Sequence, residues 1–221
     1  ARNYEAYQFH LVSQELLAFC AEDLGAFYLD ILKDRLYTCG ADSKARRSAQ
    51  TALWHITHTL LRLMAPVLSF TAEEAWQVFA RKSDDSVLFQ TWHRVPEAKL
   101  DPAVLEAWAE LRRFREIVSK GIEAKRMAKE VGSSLAAEVD IRASGPLHDA
   151  LARLGEDLRF VLITSRATVH KADGPATAQV TPSAHPKCDR CWHYRADVNA
   201  EGLCGRCQLN LKGPGEPRRF A

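Results

Sequence analysis

The sequence carries almost no net charge: 30 Lys and Arg face 28 Asp and Glu, a formal +2 at pH 7. Any basic surface is therefore local and not a property of the whole chain. It lacks an apolar run of the roughly 20 residues a bilayer span requires, so no membrane partner is expected. It lacks the apolar core of a secretory signal. The opening ARNYEAYQFH also lacks an initiator Met and runs almost directly into a helical pattern, so the chain is expected to continue a longer protein. It contains no Gly-rich phosphate loop and no nucleophile set beside a base, which leaves no candidate catalytic residue. There is no low-complexity tract, and the one internal repeat is a doubled Cys-x-x-Cys. Cys20 and Cys39 stand alone, as expected of reduced thiols in a cytoplasmic chain.

What is present is 221 residues, 47% hydrophobic, enough for more than one small core. Phe9, Val12, Leu16 and Phe19 recur at helical steps, so a helix is predicted from Tyr4 to about Glu22. A second stripe of Phe27, Ile31 and Leu32 follows, interrupted early by Gly25. The turn TCGADSKARRSAQ leads into a long helix whose buried face is Ala49, Leu53, Ile56, Leu60, Leu63 and Val67, which Pro66 is expected to end or kink. Thr71 with Glu74 has the spacing of a capping box, which predicts a helix start there. Residues 81–100 are polar and proline-punctuated and are read as a connector. Asp101-Pro102 is an N-cap followed by Pro at the first helical position, opening a long helix with Val104, Trp108, Leu111, Val118 and Ile122 in period. Its stop is KEVGSS. Leu135, Ala137, Val139 and Ile141 then alternate with polar residues, a strand pattern. PLHDALARL reads as a short helix, LRFVLITS and ATVHK as β-rich, and ADGPATAQVTPSAHP as a linker. The expected fold is mainly α. An antiparallel helical bundle occupies 1–100 and a long helix plus small α/β module 101–172. A linker at 173–186 leads to a four-Cys zinc ribbon or knuckle at 187–221.

The chemistry is concentrated in KCDRCWHYRADVNAEGLCGRCQLNL, residues 187–211. Two cysteines three apart present both sulfurs to one ion from a tight turn, and a second such turn completes a tetrahedron. Cys188, Cys191, Cys204 and Cys207 are the candidate ligands of one structural Zn²⁺. His185 and His193 lie close enough to be considered in place of a sulfur. Four protein ligands leave no position for water, so the site is expected to be structural. Four thiolates and Zn²⁺ together carry −2, which takes residues 187–221 from +3 to about +1. Binding of nucleic acid by this segment would then rest on individually placed cations: Arg190, Arg206, Arg218 and Arg219.

Two more basic clusters lie upstream. Residues 33–47 hold Lys33, Arg35, Lys44, Arg46 and Arg47. Residues 112–129 hold seven Lys and Arg against two Glu, among them Lys125 and Arg126. Such clusters neutralise phosphates, but a charge run on a helix is also what a solvated face looks like. Trp192 and His193 follow the first knuckle and offer planes on which unpaired bases stack. Trp192 equally suits the mini-core of a zinc ribbon. Asp30 and Asp34 share a helix face without converging partners, so Asp34 is expected to pair with a Lys or Arg instead of doing acid–base work.

FCAEDLGAFYLDILKDRLYTCGADSKARRSAQTAL and LLRLMAPVLSFTAEEAW resemble the anticodon-binding helical domain of class I aminoacyl-tRNA synthetases for branched aliphatic amino acids. KCDRCWHYRADV, LCGRCQLNL and GEPRRFA are similar to the zinc-binding C-terminus of the isoleucyl members. EAKRMAKEVGSSLAAEV and LRFVLITSRATV resemble the segment that joins the two. The resemblance covers almost the whole chain. It implies the tRNA-facing part of a monomeric ligase that joins isoleucine to its tRNA, with ATP and Mg²⁺ used in a catalytic domain absent from these residues. The partners implied are isoleucine-accepting tRNA and the rest of the same protein. Two other readings fit parts of the sequence: a zinc staple that touches no RNA, and a DNA-glycosylase-type zinc module binding DNA.

Overall fold

The computed structural model describes residues 1–81, 84–97 and 99–218. The chain divides into two compact units, Ala1–Asp30 with Arg47–Ala98, and Ile31–Arg46 with Lys99–Ala221. The segment 31–46, expected within the N-terminal bundle, thus belongs with the C-terminal half. Both units are built largely from helices, and no helix among the described residues is long and apolar enough to cross a membrane.

The first unit contains α1 (Arg2–Glu5), α2 (Phe9–Ala18), a π-helical segment (Phe19–Leu29), most of α4 (Lys44–Met64) and α5 (Ser69–Ala80). Gly25 does not interrupt the helix as expected; it lies inside the wider π turn. A Cβ at Gly25 would stand 2.9 Å from the Cys20 carbonyl oxygen. In an ordinary helix Gly→Ala stabilises by about 1 kcal/mol. Here the added methyl must push the turn open, so Gly25→Ala is expected to lower the melting temperature, and a rise on thermal unfolding would refute the steric reading.

The capping box expected at Thr71 and Glu74 is not formed. Chain reversal at Ala65–Leu68 keeps helical bonding alive, with Leu68 N–H donating to the Met64 carbonyl and Ala72 N–H to that of Leu68. The helix therefore begins two residues earlier, at Ser69, with no side-chain cap. Glu73 does the anchoring in this region: it accepts from Ser86 Oγ at 2.8 Å and from the Val87 backbone N–H at 2.9 Å. That contact pins the expected connector and places Val87, in a short 3₁₀ turn (Val87–Phe89), in a core with Leu61, Ala65, Ala72 and Trp76. The stripe expected to be buried on α4 is only partly so. Ile56, Leu60 and Leu63, with Val12, Leu16 and Phe19, line an open cavity of about 830 Å³, and Val67 is exposed. Next to this core His58 packs against Trp54, Trp76, Phe79 and His93. Burial, with the nearby Arg62 charge, holds it at about 4, so it is neutral at pH 7.

The second unit begins with α3 (Asp30–Thr38) and resumes at α6 (Pro102–Met127). Asp101 caps α6 as its sequence predicts, accepting from the Ala103 N–H at 3.0 Å with Pro102 in the first turn. The strands β1 (Ala137–Ala143), β2 (Arg166–Lys171) and β3 (Thr177–Pro182) form a sheet in the order β2-β1-β3. β2 runs parallel to β1 and β3 antiparallel to it, with Val139 opposite both Ala167 and Val180. The parallel pair needs a crossover, supplied by α7 (Gly145–Leu154) and α8 (Leu158–Leu162). Ala137, Val139, Ile141 and Ala143 are buried against Leu111, Phe114, Val118 and Ile122 of α6. Val104 and Trp108 fall outside that core.

Two local expectations are corrected. LRFVLITS is helical over Leu158–Leu162, because a short apolar run is equally compatible with a buried helix. The stretch read as a linker carries β3. Its Thr177-Ala178-Gln179-Val180-Thr181 alternation turns Val180 into the core, where it meets α6 at Gly121; a Cβ there would lie 2.9 Å from the Val180 side chain.

Candidate metal centre and nucleic-acid interface

Cys188, Cys191, Cys204 and Cys207 come together with all four sulfurs within 4.8 Å of one another, each cysteine no more than 6% exposed. The Cys191 and Cys204 sulfurs are 3.7 Å apart. That is far beyond a disulfide bond of about 2.05 Å. It matches the edge of a tetrahedron with bonds of about 2.3 Å, which is about 3.8 Å.

Local backbone geometry produces the cluster. In the first knuckle Cys188 N–H donates to the His193 carbonyl and Trp192 N–H to the Cys188 carbonyl, with Trp192 at φ +65°. In the second, Asn199 Oδ1 accepts from the Glu201 and Leu203 N–H groups. Gly202 turns at φ +76°, and a Cβ there would collide with the Asp189 carboxylate at 2.1 Å. Cys204 begins α9 (Gly205–Lys212), whose first N–H donates to Asp197 at 3.0 Å. Cys204 N–H points at the Cys188 sulfur at 3.3 Å, the donor expected beside a thiolate. Four buried sulfurs within reach of one tetrahedral centre, with a backbone N–H aimed at one of them, are a donor set that fits Zn²⁺.

His185 and His193 do not join the cluster. His193 is buried, with Nδ1 3.2 Å from the Cys191 carbonyl oxygen and its ring edge-on to Phe160. It therefore offers no stacking plane. Trp192 does: it is 60% exposed, with the Lys187 ammonium 5.6 Å from its ring centroid.

The arginines expected at an RNA surface are found elsewhere. Arg190, in the first knuckle, donates to the Thr38 carbonyl at 2.7 Å and to that of Tyr37 at 3.4 Å, at the negative end of α3. Arg206, in the second knuckle, holds Asp34 with both terminal nitrogens, at 2.8 and 2.7 Å. Arg218 pairs with the same Asp34, and Glu216 lies 3.3 Å from both arginines. These four side chains are no more than 12% exposed. Beneath them Phe160 takes the Arg218 guanidinium at 4.0 Å and that of Arg206 at 5.0 Å. Burial alone would push the Asp34 carboxyl up. The Arg206 hydrogen bond and charge, followed by the Arg218 charge, overcome this and hold it at about 2. Both knuckles and the tail are thereby clamped onto one helix end. Both guanidiniums are buried and spent on Asp34. Arg219 lies outside the described residues.

Lys125 pairs with Glu130 at 2.7 Å and Arg126 with Glu123 at 3.2 Å, in exposed positions where such pairs contribute little. Arg47 is exposed and Arg46 half-buried on the first turn of α4, and Arg35 on α3 borders a small pocket with Trp108. Asp34 pairs with arginine as expected, but its partners, Arg206 and Arg218, and the roles of Phe160 and Glu216 in the clamp were missed. The one available signal was a charged residue, Arg159, inside the apolar run LRFVL.

Against known proteins, residues 1–141 match the family described as the anticodon-binding domain of tRNA ligase. The chain belongs to this family. Residues 186–210 match a second family, described as a zinc finger found in FPG and IleRS, and contain all four clustered cysteines. Similar proteins include the isoleucine–tRNA ligases of Paraburkholderia phymatum, 56% identical over 225 residues, and of Janthinobacterium sp. and Chromobacterium violaceum, each 54% identical. The alignments take in 99% of this anticodon-binding-family chain, which spans 24% of the length of each relative.

Proposed function

We propose that this chain is the tRNA-recognition part of an isoleucine–tRNA ligase, acting in the cytoplasm as part of a monomeric protein whose remainder binds ATP and Mg²⁺ and performs the aminoacyl transfer. The observation that supports this most is the succession, in one chain, of the anticodon-binding family match and the four-Cys module, over an alignment of 99% with ligases of that name. In this reading residues 187–211 form a zinc knuckle with one structural Zn²⁺ held by Cys188, Cys191, Cys204 and Cys207. The ion would close the fold and leave no coordination position for chemistry. The helices of the first unit would form an antiparallel bundle along the tRNA; candidate backbone contacts are Arg47 in that unit and Arg35, Arg46, Lys125 and Arg126 in the second. The role is differential binding that positions a distant acceptor end.

Trp192 is the best candidate for a base contact. It is held at positive φ, exposed, and backed by Lys187, so its ring is presented and not packed. Base–aromatic stacking contributes about 1–3 kcal/mol. Trp192→Ala is therefore expected to weaken binding of isoleucine tRNA by roughly 5- to 150-fold with bound zinc unchanged. Filter binding against valine tRNA and a DNA duplex across a salt series checks this. Unchanged affinity in the variant would favour the zinc staple that touches no RNA, and preference for the duplex would favour the glycosylase-type reading.

A further inference from the structure

Beside the clamp an open cleft of about 650 Å³ is bordered by Arg159, Arg195, Arg206 and Lys212, with Asp197 and Glu216 as its acids. Arg206 and Glu216 are committed to the clamp. Arg159 is the unusual member. It is 9% exposed and, among the described residues, its Nε has no hydrogen-bond partner; its guanidinium lies 4.6 Å from the Phe160 ring centroid and its ion pair reaches outward, at 3.0 Å, to an 81% exposed Glu156. A buried cation needs compensating charge nearby. Around Arg159, burial followed by the Arg195 and Arg206 charges pushes its pKa down, against the smaller opposing pull of Glu156 and Asp34. The other cations are loosely held. Arg195 is 3.8 Å from Asp197, which already accepts the first N–H of α9, and Lys212 meets Glu201 at 3.5 Å between two largely exposed side chains.

We propose that this cleft is a phosphate-binding site in which Arg159 and Arg195, with Lys212 at the rim, receive a backbone phosphate of the bound RNA. The inference rests on the RNA-binding reading above and locates a contact that the linear basic clusters do not contain. Two guanidiniums and an ammonium supply donors in the planar and point-like geometries that phosphate oxygens accept. Arg159 cannot be exchanged without risk to the fold, so the tests fall on the two outer positions.

The experiment uses the zinc-loaded chain in two arms. In the first, inorganic phosphate is titrated while the arginine Nε–Hε NMR signals are followed. Saturable shifts at Arg159 and Arg195 that disappear in Arg195→Gln are expected; no shift at either refutes the site. In the second, tRNA affinity is measured against salt for wild type, Arg195→Gln and Arg195→Gln with Lys212→Gln. Each lost phosphate contact lowers the slope of log affinity on log salt by about 1. A slope lowered in Arg195→Gln and lowered by about 1 in total in the double variant, with zinc stoichiometry unchanged, supports the proposal. Phosphate shifts with an unaltered slope would overturn the RNA source and leave a site for free phosphate. If wild type binds no tRNA in either salt limit, the functional reading fails, and the phosphate arm alone still decides the cleft.

Discussion

Cys204→Ser is expected to abolish stoichiometric zinc and to unfold residues 187–211 while leaving the sheet of the second unit intact. Apparent binding energies of about 10–16 kcal/mol in small zinc modules are folding energy, because no preformed site exists in the unfolded chain. The module has little apolar core of its own: its buried cluster is the four cysteines, with Val198 and Leu203 packed against them. The sheet has a separate core spanning α6, β1, α7, α8 and Val180. The consequence does not stop at residue 211. Arg190 and Arg206 reach α3 from the two knuckles, so a molten module withdraws donors from the Tyr37 and Thr38 carbonyls and from Asp34. Hydrogen exchange in the variant is expected to show lost protection in 187–211 and at the end of α3, with β1 still protected. A variant that keeps one tightly bound zinc would refute the four-thiolate centre.

The four-cysteine cluster was legible because its signal is local in sequence. Two Cys-x-x-Cys pairs need no knowledge of the rest of the fold. Helix α6 was legible at both ends for a similar reason, since Asp101-Pro102 is a cap whose partners lie within two residues. The failures share a cause in distance along the chain. The α4 stripe obeys helical period, yet whether Leu60 is covered depends on elements far away, and it faces a cavity. β3 hid in a Pro- and Ala-rich stretch because a five-residue alternation becomes a strand only beside β1. LRFVLITS has strand composition and a helix's burial. Arg206 and Arg218 read as an RNA surface because their counter-charge, Asp34, lies 172 and 184 residues away. A cation-rich tail and a buried ion-pair network look alike until the carboxylate is located.

Asp34→Ala is expected to destabilise the second unit by about 3–5 kcal/mol, far more than loss of an ordinary ion pair. Exposed pairs contribute under about 1 kcal/mol. Here removal of one carboxylate strands two guanidiniums that are 12% and 5% exposed, with Glu216 left as their one shared carboxylate, and breaking a buried pair costs about this much. Arg206→Ala alone is expected to cost less, because Arg218 still neutralises Asp34. The coupling energy in a double-mutant cycle should then exceed about 1 kcal/mol. Acid provides an independent check that requires no substitution. The folded carboxyl sits at about 2, below its usual 3.8, so the folded state binds this proton more weakly than the unfolded chain. Its contribution, roughly 2 kcal/mol, is fully present above about pH 4 and is lost as pH falls through about 2. Denaturant unfolding of wild type should thus show stability falling across that window, and Asp34→Ala should flatten the fall by the same amount. Equal slopes in the two proteins would mean that the clamp carries no net energy and that zinc alone fixes the C-terminus to α3.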